Sequence, residues 1–399
     1  MRLLTKEELL YGLYHLPVAI SAPFISWYFY ILSGGDYLGA GMILAIVNFF
    51  LIFSSSFFGW LSDIFGSKNL VSISLLVLSL SYIVYYLIES NPWQFFITYI
   101  CFTFITSAFI PSFNRLISFQ DQSTRSKSFG RLGMWASIGF LTGSVLSALL
   151  LGILGFRSML LIAAFISIVP FLFSFALSDS YLRKSKIGRP SLHFLSPKNL
   201  KSVFRSPILI LLIVVTIINA SNSLYMNFFA IFVEFELFLP INSVAIMNAI
   251  ATILGVFATY FIGWLNDILT SRKGLVAIAA LLYSLLPFFS FFLMKYPIII
   301  LLSYCIPVYS ILFVTVPIII SEKTIGGIRG RSMGNYNSAQ YLGLAIGAVM
   351  GSFLATVNNK IHPNFLVAAL IGFIGFFIVL FKFKDKKIMY SSDESNSRI

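Results

Sequence analysis

The chain has 399 residues, 58% of them hydrophobic and only 10% charged, with a mean hydropathy of +0.93. A soluble chain carries roughly 25% charged residues, so this composition excludes an ordinary water-soluble globule and calls for lipid as solvent. The net charge of +13 does not mark a nucleic-acid binder, because that reading needs a soluble basic face and no polar stretch is longer than 179–207; no nucleic-acid partner is expected.

A bilayer core is crossed by about 20 largely apolar helical residues. Arg2, Lys6, Glu7 and Glu8 precede an apolar stretch of full span length, which predicts a first span over 9–32 rather than a cleavable leader. Gly34-Gly35-Asp36 marks a turn before a second span over 38–60, and Asn91-Pro92 separates a third over 69–88 from a fourth over 93–117. Spans over 129–152 and 157–178 complete a first set of six. The basic stretch 179–207 follows. A second set is predicted over 208–233, 240–264, 274–293, 297–320, 333–357 and 364–382, with Asn358-Asn359 between the last two. The expected fold is all-α and polytopic, with twelve transmembrane helices as two pseudo-symmetric six-helix bundles. Their bounds are 1–178 and 208–382, with 179–207 as a cytoplasmic linker and 383–399 as a cytoplasmic tail.

Lys and Arg collect on the cytoplasmic side of membrane proteins. With an inside N-terminus, 24 of the 27 basic residues fall inside and only Arg157, Lys295 and Lys360 outside. Both termini are therefore expected in the cytoplasm, with the chain in the cell membrane.

Gly59-Trp60-Leu61-Ser62-Asp63-Ile64 recurs as Gly263-Trp264-Leu265-Asn266-Asp267-Ile268, an offset of 204. The same offset relates Arg125 to Arg329, Ser128 to Ser332, Gly139 to Gly343 and Gly143 to Gly347. Shared apolar character does not match Gly, Asp and Arg at one fixed spacing, so the chain reads as a duplicated six-helix unit.

The segment Gly59-Trp-Leu61-Ser-Asp63-Ile-Phe-Gly66-Ser-Lys68 resembles the signature loop of the major facilitator superfamily, G-x-L-a-D-r-x-G-r-k. Ile64 and Ser67 stand where two basic residues are usual. The second copy keeps Gly263, Leu265 and Asp267, has Thr270 in place of the second Gly, and adds Arg272 and Lys273. Arg125-Ser-Lys-Ser-Phe-Gly130 before span 5 and Gly155-Phe156-Arg157 before span 6 are similar to the same family at the same places. The resemblance implies a secondary transporter working by alternating access. It also implies a gate in which Asp63 meets the start of span 11 near 329–333 and, by symmetry, Asp267 meets the start of span 5. A carboxylate suits a helix N-terminus, where about half a positive charge resides. The alternative is that Asp63 caps only its own turn. The expected gating set is Gly59, Asp63, Gly66, Lys68, Gly263, Asp267 and Arg272.

Such carriers bind substrate near the midplane, where polar residues are costly unless they face a cavity. Span 7 is the richest, with Asn219, Asn222 and Ser223 at i, i+3 and i+4. Ser21, Asn48, Thr106, Tyr304, Tyr309 and Gln340 are further candidates. The competing reading is that such residues bond across packed helices. No Asp, Glu, Lys or Arg falls at mid-depth, so a strongly charged substrate is disfavoured and only His15 is placed to carry a proton. The drug-antiporter pattern G-x-x-x-G-P-x-x-G-G of span 5 survives only as Gly139 and Gly143, with Ser144 and Ser147 in place of the following Pro and Gly.

No nucleotide loop, Cys/His metal spacing or catalytic triad is present, so neither cofactor, metal nor enzymatic activity is expected. The sequence predicts a monomer in the lipid bilayer that moves a small neutral or weakly polar organic solute. The rivals are a multidrug efflux carrier and a membrane sensor that keeps the fold without transport.

Overall fold

The computed structural model describes residues 5–88, 90–118, 122–177, 208–269, 271–323 and 329–383, without the side chains of 55, 56, 63, 115, 117, 118, 122–130 and 329–331. The linker 179–207, the tail from 384 and Thr270 lie outside the described residues. All the regular structure described is helical.

The helices are α1 Lys6–Leu32, α2 Tyr37–Phe65, α3 Ser67–Leu87 and α4 over 92–118. A helical run Gln122–Ser174 follows, broken at Gly155 by a φ of 73° and a ψ of 162°. A straight helix of 53 residues would run about 80 Å, far more than a bilayer. The left-handed turn, which glycine adopts without steric cost, folds it into α5 (122–154) and α6 (156–174). The second set is α7 Leu209–Phe235, α8 Asn242–Ile268, α9 Lys273–Phe292, α10 Pro297–Lys323, α11 Arg329–Asn358 and α12 His362–Phe381. Among the described residues, eleven apolar helices are long enough to cross a membrane, and the 44-residue stretch Arg131–Ser174 among them is α5 and α6 together. That gives twelve crossings.

Helices α2 and α8 run past their expected ends, to Phe65 and Ile268. The signature segment Gly59–Phe65 is therefore helical, and only Gly66, with a φ of 86°, makes the turn into α3.

The 204-residue repeat holds in space. A Cβ on Gly139 would lie 2.0 Å from the Gly12 carbonyl oxygen, and one on Gly343 would lie 2.3 Å from that of Thr216. One on Gly143 would meet the Leu16 carbonyl oxygen at 2.3 Å and the Ala19 Cβ at 2.8 Å; one on Gly347 would meet Ala220 and Ser223 at 2.2 and 2.7 Å. Each contact in α1–α5 has its counterpart in α7–α11 at the same offset. Glycines at this spacing let membrane helices approach backbone to backbone, which supplies the dispersion that lipid cannot.

The face of the bundle that carries most of the described Lys and Arg side chains is the basic face. Lys68 donates to the Phe175 carbonyl oxygen at 3.1 Å and Lys273 to that of Leu380 at 2.7 Å. Each ammonium thereby satisfies an orphan carbonyl at the negative end of the last helix in its half. Glu8 pairs with Arg131 at 2.8 Å, tying α1 to α5.

Among the described residues, the halves meet along three seams. On the face opposite the basic one, the Trp27 indole N–H donates to the Glu234 carboxylate, and the Tyr30 and Phe235 rings pack at 5.1 Å. Helix α2 packs on α11, where a Cβ on Gly41 would lie 2.4 Å from that of Ser352. Helix α5 packs on α8, where Asn248 donates to Ser144 Oγ at 3.2 Å and Ser144 lies 3.4 Å from Thr252 Oγ1. Ser144 occupies the position where the drug-antiporter pattern has proline. Its hydroxyl makes a bond between the halves that proline could not.

Candidate functional site

Between the halves lies a cavity of about 350 Å³, formed mainly by α7, α8, α9 and α10 and closed by α1 and α2. Three of these helices are broken where they border it. Helix α1 passes through a tight 3-10 turn at Ala22–Phe24, α7 is interrupted between Met226 and Phe229, and α10 between Tyr304 and Tyr309. Pro23 and Pro307 lack the amide N–H that would continue the ladder. The breaks of α1 and α7 are again 204 residues apart. Irregular backbone is tolerated at membrane depth only where it is buried in protein or lines a cavity. Here Ser26 Oγ donates to the carbonyl oxygen of Asn227, across the halves.

Among the described residues, no charged one lines the cavity. Its wall is mostly aliphatic and aromatic, with Phe229 stacked on Tyr304 at 4.4 Å between centroids. Several polar groups are already engaged. Tyr225 bonds Ser290 at 2.8 Å, Asn227 donates to Ser223 at 2.6 Å, and Asn248 spends one amide hydrogen on Ser144. Asn222 differs: its half-buried carboxamide has no hydrogen-bond partner among the described residues. An amide in that position presents two donors and an acceptor to whatever enters.

Of the residues singled out from sequence, Asn222, Tyr304 and Tyr309 line this cavity together. The others are not brought to it. Asn219 donates to the Val215 carbonyl oxygen at 2.8 Å and lies under Gly343. Ser223 donates to the Leu344 carbonyl oxygen at 2.7 Å. Those two, one turn apart, belong to the stripe that packs on the α11 glycines, and Asn222 points away from it, so the three do not share a ligand face. Ser21 bonds Tyr82 at 3.0 Å, Thr106 donates to the Thr103 carbonyl oxygen at 3.1 Å, and Gln340 donates to Tyr336 at 2.8 Å. Asn48 is half-buried in α2, outside the cavity, with no partner among the described residues. His15 is buried among the rings of Tyr11, Tyr14 and Phe140, at 4.9–5.2 Å, and its Nε2 has no partner among the described residues.

Two further cavity residues, Asn248 and Tyr283, carry unequal signals in the sequence. Asn248 was findable, as an amide in the middle of an apolar span; an aromatic such as Tyr283 carries no comparable mark.

On the basic face, the Asp63 side chain lies outside the described ones. Asp267 is exposed and has no ion pair among the described residues. Arg272, the counterpart of Lys68, pairs with Glu322 at 2.5 Å and donates to the Asn266 carbonyl oxygen at 3.2 Å. Gly59 and Gly263 have open space around them.

The fold is similar to those of solved transporters. The crystal structure of nucleoside transporter NupG superposes with a TM-score of 0.77 at 16% identity, covering 95% of this chain and 99% of that one. The inward-open xylose transporter XylE from E. coli gives 0.70 at 14% identity, with 96% of each chain covered. In sequence, the chain is 23% identical over 392 residues to an uncharacterized transporter of Buchnera aphidicola subsp. Baizongia pistaciae (strain Bp), covering 90% of this chain and 92% of that one. It is 30% identical over 149 residues to a multi-drug resistance efflux pump PmrA homolog of Lactococcus lactis subsp. lactis (strain IL1403), a match that spans 37% of this chain and only 36% of the pump homolog. The sequence profile of the Major Facilitator Superfamily matches residues 9–324 and again 221–396. With matches that take in nearly the whole of both halves, this multi-pass membrane protein belongs to the Major Facilitator Superfamily of transporters.

Proposed function

We propose that this transporter carries an uncharged, largely apolar organic solute across the cell membrane by alternating access, as a monomer with both termini in the cytoplasm. The observation that carries the reading is the uncharged cavity between the halves, with one unengaged carboxamide at Asn222. A zwitterion would find nothing to neutralise it there, and burying unpaired charge is prohibitive. A hexose would bring several hydroxyls, and with Ser26, Tyr225, Asn227 and Asn248 engaged internally it would leave some of them unsatisfied, each at a cost. A solute with an apolar or aromatic body and one hydrogen-bonding edge meets neither penalty. Multidrug efflux is the second reading, favoured by the aromatic wall and by the partial likeness to the pump homolog.

A thermal-shift panel of neutral heterocycles, sugars, dipeptides and lipophilic cations tests the class, since a ligand bound to the folded form raises its melting temperature. For the hit, Asn222→Ala is expected to weaken binding by about 1–3 kcal/mol, the cost of leaving a buried ligand group unpaired, with little change in expression. Unchanged affinity together with lost folding would place Asn222 in packing instead. Binding without flux in proteoliposomes would indicate a sensor rather than a carrier. For orientation, a cysteine at Ser185 is expected to resist impermeant thiol reagents in intact cells and one at Asn359 to react. The reverse pattern would invert the topology.

A further inference from the structure

Helix α8 separates two spaces. Val244, Asn248 and Ala251 face the central cavity, whereas Ile246, Ala249 and Ile250 face a groove of about 650 Å³ on its other side, completed by Ala148, Leu149 and Ile153 of α5. The groove follows the α5–α8 seam between the halves. Its lips are exposed on membrane-spanning helices, Leu149 at 62% and Ile153 at 79%, so what bathes it is lipid.

Its polarity changes with depth. At the end toward the non-basic face stands Asn242, the first residue of α8, packed over Gly152 with its Oδ1 buried and without a partner among the described residues. From there to Ile253, the deepest residue on α8, the lining is apolar. The eleven helical rises from Asn242 to Ile253 span about 17 Å, close to half of a ~30 Å hydrocarbon core. A slot one leaflet deep, apolar below and with a single buried acceptor at headgroup level, has the shape and polarity of a lipid.

We infer that this groove binds one acyl chain of a phospholipid from the leaflet on the non-basic face, with Asn242 Oδ1 accepting a hydrogen bond from a donor-bearing headgroup. The Ser144–Asn248–Thr252 contacts close the inner wall and keep the chain out of the central cavity. Because α5 and α8 belong to different halves, the lipid lies in a joint across which they move.

The test is photo-crosslinking of the full-length protein in nanodiscs with phosphatidylethanolamine bearing a mid-chain diazirine, followed by peptide mapping. Labelling is expected to concentrate on 145–153 and 242–253, above the level at Leu370 and Phe377, which are ordinary exposed residues of α12. Ala148→Phe, which fills the floor, is expected to cut that labelling about tenfold, the equivalent of roughly two methylene groups losing their burial. Should that variant not fold, Ile250→Trp at the lip is the second block. Phosphatidylcholine, whose headgroup has no donor, is expected to label the groove more weakly than phosphatidylethanolamine. Labelling no stronger than on α12, or undiminished by a folded blocking variant, overturns the site. Equal labelling by the two headgroups overturns the role given to Asn242. No part of the test depends on which solute is transported.

Discussion

Gly347→Leu is expected to abolish folded, monodisperse protein, and Gly143→Leu to do the same in the other half. In both, the first carbon added already falls 2.2–2.3 Å from a backbone carbonyl oxygen of the facing helix, so no side-chain rotamer relieves the clash and the helices must separate. Overpacking a core costs roughly 1–3 kcal/mol when side chains can adjust and more when they cannot. In a bilayer there is no hydrophobic drive to restore the lost contact. Gly133 lies on the same helix as Gly143 but faces open space. Gly133→Ala should therefore be neutral, or stabilising by up to about 1 kcal/mol through helix propensity. Size-exclusion profiles and melting temperatures of fluorescent-protein fusions would check all three. Equal tolerance at Gly143, Gly347 and Gly133 would show that the close α1–α5 and α7–α11 packing does not hold each half together.

That contrast also separates what residue order encodes from what packing decides. Gly139 and Gly143 are legible as one copy of a repeat, as is the division of the run around Gly155, because composition and fixed spacing report chain-level organisation. Which face of a polar helix looks inward is set by its neighbour. Asn219, Asn222 and Ser223 lie close together on one helix, yet the α11 glycines take Asn219 and Ser223 into packing and leave Asn222 to the cavity. The broken backbones of α7 and α10 are hidden for a related reason. The apolar runs continue through them, and only Pro307 in α10, like Pro23 in α1, hints that a span changes course. The link between Trp27 and Glu234 joins residues 207 apart. With the carboxylate near the end of its span, nothing in the residue order assigns it a partner.

The link between Trp27 and Glu234 leads to the second large effect. It closes the face opposite the basic one, and its acceptor is a carboxylate; hydrogen bonds to charged groups contribute about 1.5–3 kcal/mol. Trp27→Phe keeps an aromatic ring against Phe156 while it removes the N–H together with part of the bicyclic indole, so it is expected to favour opening of that face by roughly ten- to a hundredfold, at 1.4 kcal/mol per decade. Ala230, which lines the cavity and is 2% exposed, reports the change. In a background lacking Cys101 and Cys305, a cysteine at Ala230 should react with an impermeant thiol reagent added on that face much faster in Trp27→Phe than with Trp27 intact. On the basic face, the signature carboxylate Asp63 is expected to act in the opposite sense, stabilising the state in which the cavity opens away from the basic face. A carboxylate at a helix N-terminus contributes about 0.3–1 kcal/mol when exposed and up to ~2 when partly buried. Asp63→Asn should thus slow the Ala230 cysteine reaction, with Asp267→Asn acting the same way but more weakly, since its turn has Thr270 where the first copy has Gly66. The two faces cannot both stay open, so the effects should offset each other. Trp27→Phe combined with Asp63→Asn should bring labelling back toward the starting rate and recover part of the transport that either change alone impairs. Labelling in the combined variant equal to that of Trp27→Phe alone would mean that Asp63 takes no part in the equilibrium, leaving the basic face to be held by packing.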